Sequence, residues 1–374
     1  MKNMIGYIKA TADKTFFQKP FCEGDSLVLS QLVYLDFGPY MEKTAAPTLG
    51  GAAAAQETPY PGGKEWKKLR AAVAKSRRFS PIVLRHFVQK LDEEKEEQFA
   101  AVTYLLPFGI RYVAFRGTDN TLVGWKEDFN MTFLPVVPAQ LESAAYLHEE
   151  AARGDGPLLT GGHSKGGNLA VYAASRAPQE VKSRLRAVYN HDGPGFREIF
   201  YQEPGYDEIV SRLNTTIPKA SLIGRLACRD EGYRIVAGKG FGPMQHEPFR
   251  WGYTKEGLRY EERPAKNALF LSKTFNDWFC KIDAPQRAVF IDTLYELVEN
   301  TGVKSLNEAQ KRWLPTATAA LSAYQKLDEE SKGFIQELLS LLWNTAKSNL
   351  KADEKAQKKA ARKEKSAKKA EQKS

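Results

Sequence analysis

The sequence predicts an α/β fold: a mostly parallel sheet with helices on both faces, followed by a C-terminal helical appendage. Three observations point that way. Short apolar runs alternate with helical patterns through the middle of the chain, from VTYLL (102–106) to YRIV (233–236), the signature of strands joined by crossover helices. A glycine-rich turn, Gly161–Gly167, separates one such run from a small-residue helix. Beyond residue 265 the pattern turns wholly helical.

At 374 residues and 42% hydrophobic content the chain can fill a large core. Its net charge of +10 resembles a nucleic-acid signature until it is located. Residues 351–374 hold ten Lys/Arg against four Asp/Glu, so +6 of the +10 belongs to the tail and the body is nearly balanced. No specific nucleic-acid partner is expected. The three cysteines, Cys22, Cys228 and Cys280, show neither CxxC nor metal-type spacing, which suits a reducing compartment. The N-terminus lacks a signal-type apolar run and no stretch approaches a spanning helix. A soluble, cytoplasmic protein without metal or organic cofactor is expected.

Five segments follow. Residues 1–44 carry FCEGDSLVLSQLVYLDF, with Asp25 placed as a helix N-cap, and should pack on the core. Residues 45–63, rich in Ala, Gly, Pro and Thr, read as a flexible loop. The core spans 64–264. It opens with a basic amphipathic helix over 64–78 and continues with a hairpin, VTYLL and YVAF (112–115), about a Pro-Phe-Gly turn. A helix over 139–152, a strand at 157–161 and a helix over 168–177 come next. Strands LRAVYNH (185–191), ASLIGRLA (220–227) and YRIV follow. Residues 265–350 form the appendage. The Lys-rich tail, 351–374, has no apolar face to bury and should be solvated or disordered.

Gly162-His163-Ser164-Lys165-Gly166 fits GxSxG. That spacing serves a turn tight enough to lift a serine Oγ over the end of a strand, with small residues letting strand and helix pass closely. The pattern is weak alone, but here it lies between an apolar strand and a small-residue helix. GxxxxGK[ST] and GxGxxG are both absent, which argues against a phosphate cradle. The backbone N–H of Lys165, opening the next helix, is a natural oxyanion donor. A triad on this fold runs serine, acid, histidine along the chain. Two histidines follow Ser164: His246, in a Gly/Pro-bounded loop after the last strand, and His191, which ends a strand and adjoins the acid candidate. His246 is the expected base. His163 should point away from the serine, and His86 and His148 fall in helix-like segments. Asp192, in the constrained turn DGPGF after LRAVYNH, is the preferred acid, and Asp230 the alternative. The second oxyanion donor should come from Arg116-Gly117-Thr118, with Thr118 as the residue; Trp125 and Asp128, three apart as on one helix face, read first as helix-packing residues and second as a clamp on that loop.

VAFRGTD, Trp125, Asp128 and TGGHSKGGNLA resemble the class 3 (fungal-type) lipase pattern. The wider set PFCEGDSLVLSQLVYLDF, FRGTD, GGHSKGGNLAVYA, YNHDGPGF, IPKASLIGRL and MQHEPFRW resembles a bacterial Mbeg-like family of unassigned function related to those lipases. The Asp192 segment is also similar to the post-strand LDPAGP of pancreatic-type lipases. The resemblance implies an α/β-hydrolase fold, triad roles for Ser164, Asp192 and His246, and an oxyanion hole at Thr118 and Lys165. Two departures stand out. Lys165 replaces an apolar residue, placing a cation beside the site's mouth, where it would suit an anionic substrate, or in solvent. The class 3 acid motif is absent, reading Arg229-Asp230-Glu231-Gly232, which favours Asp192. The expected function is hydrolysis of a small-molecule or lipid carboxylic ester through an acyl-enzyme. The alternative is a catalytically silent interaction module acting through its helical C-terminus and basic tail. The tail would give weak contact with an anionic membrane surface or merely solubilise the chain.

Overall fold

The computed structural model describes residues 3–371 except 56–61, 120–121, 132–133, 228–231, 241, 300–321, 323, 326 and 328. An eight-stranded sheet runs in chain order: β1 (Val83–Asp92), β2 (Glu97–Leu105), β3 (Arg111–Phe115), β4 (Leu158–His163), β5 (Leu185–His191), β6 (Leu213–Pro218), β7 (Tyr233–Val236) and β8 (Tyr260–Glu261). Pairing is parallel from β3 to β7 and antiparallel at both edges. The hairpin of β2 and β3 turns at Pro107–Gly109, as its sequence predicts.

Side chains alternate across the sheet. Tyr112 and Ala114 of β3 join one apolar cluster, and Val113 and Phe115 join the other. Helices α7 (Pro138–Ala152) and α8 (Lys165–Arg176) supply the second cluster. Val181 of α9 (Gln179–Arg184), Phe200 of α10 (Glu198–Tyr201), and Tyr206 and Ile209 of α11 (Pro204–Val210) add to it. Right-handed crossovers that advance in one direction leave their helices on one face. The opposite face must be covered from elsewhere. The N-terminal helices α1 (Met4–Ala10), α2 (Glu23–Leu32), α4 (Leu49–Ala55) and α5 (Lys64–Ala74) cover it, burying Met4, Leu27, Leu49 and Leu69. Helix α3 (Gly38–Glu42) is a short link between them.

A buried ion pair ties this N-terminal cover together. The guanidinium of Arg78 donates from Nε to Asp25 Oδ1 at 2.8 Å and from Nη2 to Oδ2 at 2.6 Å, with both side chains fully buried. Asp25 is therefore not the N-cap of α2. Cys22 holds that position, and Asp25, at the third helical residue, accepts the Cys22 N–H at 3.0 Å.

Other expectations are corrected. Residues 49–55, expected inside a flexible loop, form α4. ASLIGRLA is not a strand: β6 is the more polar LNTTIP, and Ile223–Arg225 is a single 3-10 turn. His86 lies in strand β1 rather than a helix, at a bulge where its φ is +46°. It stacks on Tyr146 at 4.6 Å and pairs with Glu150 at 2.8 Å.

The described residues divide into two compact units, one within 1–268 and the other formed by those of 269–299 and of 322–371. The second unit contains most of α12 (Lys266–Cys280), α13 (Ala284–Glu299) and a helix over Glu329–Glu371. That last helix carries the Lys-rich segment to Glu371, where a solvated or disordered tail was expected; the segment is helical, and residues 351–355 and 358 are exposed. Among the described residues no helix is long and apolar enough to cross a membrane.

Candidate active site

Ser164 sits between the end of β4 and the start of α8, at φ 59° and ψ −133°. A serine in that region is strained, and the surroundings hold it there. Its N–H donates to His191 O at 3.0 Å. The two flanking glycines are required by contact distances. A Cβ on Gly162 would meet Gly166 C at 2.2 Å, and one on Gly166 would meet Phe115 O at 2.2 Å. No side chain fits either place.

His246, in the 3-10 turn Gly242–His246, brings Nε2 to 2.9 Å from Ser164 Oγ. Its Nδ1 lies 2.7 Å from Asp192 Oδ2. A carboxylate accepts, so Nδ1 carries the hydrogen and Nε2 is left to accept from the serine hydroxyl. Asp192 follows β5 at φ +56° and is fully buried. Ser221 Oγ donates to its Oδ2 at 2.6 Å and Gly224 N–H to its Oδ1 at 3.1 Å. The segment misread as a strand thus supplies the donors that seat this carboxylate. Burial opposes a charge on His246. The hydrogen bond and charge of Asp192, with the charges of Glu247 and Asp128, together outweigh it, and the imidazole pKa lies above its ordinary 6.5. Asp230 lies outside the described residues.

Each neighbouring histidine has a separate place. His163 turns away from the serine and donates from Nε2 to the backbone carbonyl of His246 at 2.9 Å. Burial holds its pKa well below 6.5, with the charges of His246 and His191 adding. His191 is fully buried between Ser26 Oγ at 2.8 Å and Thr216 Oγ1 at 2.7 Å, and burial pushes its pKa down to about 3. Neither titrates near neutrality.

The loop after β3 abuts the elbow: a Cβ on Gly117 would lie 3.1 Å from Ser164 Cβ and 2.5 Å from His163 O. Next to it, Thr118 Oγ1 donates to Asp128 Oδ2. Asp128 belongs to α6 (Leu122–Asn130). Its other carboxylate oxygen, Oδ1, is buried and receives no hydrogen bond among the described residues. Burial lifts the Asp128 pKa to about 6 against the lowering effects of Lys165 and Thr118. Trp125 is on α6, but its side chain lies outside the described residues.

Lys165 corrects the sequence reading. Its ammonium reaches neither the mouth of the site nor solvent. It is fully buried and donates to Gln98 O at 2.7 Å, Gln98 Oε1 at 2.8 Å and Glu127 Oε2 at 2.8 Å. Glu127, unnoticed in the sequence, also accepts Gln98 N–H at 3.1 Å and Ala139 N–H at 3.0 Å. The only signal for it was a carboxylate next to Asp128. The Lys165 backbone N–H opens α8 and is one of the donors that a helix N-terminus leaves without an intrahelical acceptor. Among the described residues no three His, Cys, Asp or Glu side chains are grouped to hold a metal ion.

The fold is similar to that in the crystal structure of M37 lipase, at 12% sequence identity over 55% of this chain and 70% of that one, with a TM-score of 0.36. No curated protein matches the chain in sequence. A family model described as Mbeg1-like matches residues 73–296, more than half of the chain and the stretch that holds every site residue above. The chain belongs to the Mbeg1-like family.

Proposed function

We propose that the protein is a serine hydrolase that cleaves a carboxylic ester through an acyl-enzyme. The carrying observation is the unbroken hydrogen-bonded chain from Ser164 through His246 to Asp192, built at a strained strand–helix turn. His246 takes the Ser164 proton as Oγ attacks the ester carbonyl, and the new C–O bond pushes the carbonyl electrons onto oxygen. Asp192 holds the imidazole tautomer and stabilises its cation. Backbone N–H groups of Thr118 and Lys165 receive the oxyanion. Its collapse expels the alcohol, which takes the proton from His246. Water, deprotonated by His246, then attacks the acyl-enzyme and releases the acid.

The Thr118 hydroxyl is already given to Asp128, so its backbone N–H is the donor assigned to the oxyanion. With the Lys165 ammonium buried, that side chain supplies no cation to recruit an anionic substrate. A fluorophosphonate probe tests the reading. It should label wild type and leave Ser164→Ala dark; an unlabelled, folded wild type would overturn it and leave the silent interaction module.

A further inference from the structure

The last helix of the second unit carries three faces that follow one another round its axis. Ile335, Leu338, Thr345 and Asn349 are buried, with Leu342 half-buried between them. This face is bound to α12 and the residue after it: Trp278 Nε1 donates to Leu338 O at 3.0 Å, and Lys281 Nζ to Thr345 Oγ1 at 2.9 Å. Asn349 Nδ2 donates to Asp277 Oδ2 at 2.9 Å.

From Leu338 onward, each position of this face is followed by an apolar one. Leu339, Trp343, Ala346 and Leu350 come directly after Leu338, Leu342, Thr345 and Asn349. One residue is about 100° of rotation, so these four form a second stripe beside the packed face. It is open to solvent, with Leu339 52%, Trp343 63% and Leu350 51% exposed. One residue further round lie Lys347 and Lys351, after Ala346 and Leu350, and Lys355 and Lys358 continue that row, all exposed. Lys347 Nζ stands 5.0 Å from the centre of the Trp343 ring. The stripe spans about 16 Å and runs into the segment with ten basic and four acidic residues.

We propose that this helix docks on an anionic lipid bilayer, with Leu339, Trp343 and Leu350 entering the interface and the lysine row resting on the headgroups. Charge identifies the occupant. An apolar stripe alone would suit another protein, and a lysine run alone would suit any polyanion. A solvent-exposed tryptophan between leucines, bordered on one side by lysines, matches a surface that is apolar inside and negative outside. A nucleic acid offers no apolar layer for Leu339 and Leu350. Docking does not depend on catalysis at Ser164; if the esterase reading also holds, docking brings the protein to lipid esters.

The test uses the full chain and sedimentation with phosphatidylcholine vesicles, with and without 30% phosphatidylglycerol, a composition of roughly the charge of an anionic leaflet. Wild type should bind the anionic vesicles and not the neutral ones. Brominated acyl chains should quench wild-type fluorescence more than that of Trp343→Phe. The triple variant Leu339→Ser, Trp343→Ser, Leu350→Ser should bind about tenfold or more weakly. Deletion of 351–374 should weaken binding by a similar factor. Fluorophosphonate labelling of both variants, with their circular dichroism, reports separately on the hydrolase unit and on folding. The proposal is overturned if wild type ignores anionic vesicles, or if the triple variant binds like wild type, leaving a lysine tail alone. It is equally overturned if the stripe instead joins two copies, shown by a dimer that the triple variant dissociates without any vesicle binding, or if the chain binds a polynucleotide and not vesicles.

Discussion

Lys165 Nζ lies 2.8 Å from Glu127 Oε2 with both side chains closed to solvent, one residue after Ser164. All three ammonium hydrogens are used, two on Gln98 and one on Glu127. The pair therefore ties α6, which holds Asp128 against Thr118, to the helix that starts at the nucleophile's elbow. Charges taken out of water are tolerable only together. Lys165→Met should cost about 3–5 kcal/mol, because Glu127 is left charged and buried. Glu127→Gln added to it should recover part of that loss. Denaturant midpoints of the single and double variants check this; strictly additive losses would mean the two side chains do not depend on each other.

The His246 imidazole gives a pH prediction with a definite sign. Its pKa in the folded protein is raised above 6.5, and catalysis needs the neutral ring. Activity should therefore climb with rising pH through a midpoint above 6.5. The ion pair's contribution to stability runs the other way, complete below 6.5 and lost as pH rises through the folded value. Asp192→Asn removes both the charge and the tautomer lock. Its kcat/KM for a p-nitrophenyl ester should fall by roughly 10³–10⁴. The residual acid limb should move below that of wild type. An unmoved limb would assign it to another group.

Much of this site was legible in the sequence because its logic is local. A tight turn demands Gly162 and Gly166, and an aspartate tolerates the left-handed backbone that Asp192 adopts. What was illegible depends on partners far along the chain. Lys165 looks like a surface cation until Glu127, 38 residues earlier, is packed against it. Strand β1 was missed because its bulge at His86 breaks the alternation. Residues 220–227 mimic a strand in composition, yet Ser221 and Gly224 must bend in to serve Asp192. The Asn-Thr-Thr of β6 hides a strand that sheet pairing stabilises on both sides.

Asp128 stores an unfavourable charge beside Thr118. Its folded pKa, about 6, lies above the ordinary 3.8 because burial disfavours the carboxylate. Ionisation therefore weakens the folded state progressively as pH rises from about 4 to 6, and the cost persists above that range. Asp128→Asn keeps an acceptor for the Thr118 hydroxyl without the charge. It should stabilise the protein by about 1–2 kcal/mol at pH 7, less than full burial would imply because the side chain is partly exposed. The gain should shrink below pH 5. Thermal melts at pH 4.5 and 7 read it directly; an equal shift at both pH values would mean that the carboxylate is not the source.

His163 positions His246 through the peptide rather than the ring. Its Nε2–H holds the His246 carbonyl at 2.9 Å while the two rings lie 4.6 Å apart, centre to centre. Because burial keeps His163 neutral well below pH 6.5, that hydrogen bond survives across the working pH range and adds no ionisation of its own. His163→Phe preserves the ring's bulk against Trp251 but leaves the carbonyl without its donor. The His246 loop should then sample geometries in which Nε2 no longer meets Ser164 Oγ, and displacements near 1 Å cost about 10²-fold in rate. The expected result is a fall in kcat of about that size, with KM little changed. The acid limb should keep its single ionisation, with Asp192 still bound to Nδ1. His163→Gln, which can restore an N–H donor, should recover part of the rate. If His163→Phe and His163→Gln lose rate equally, the residue is only filling space.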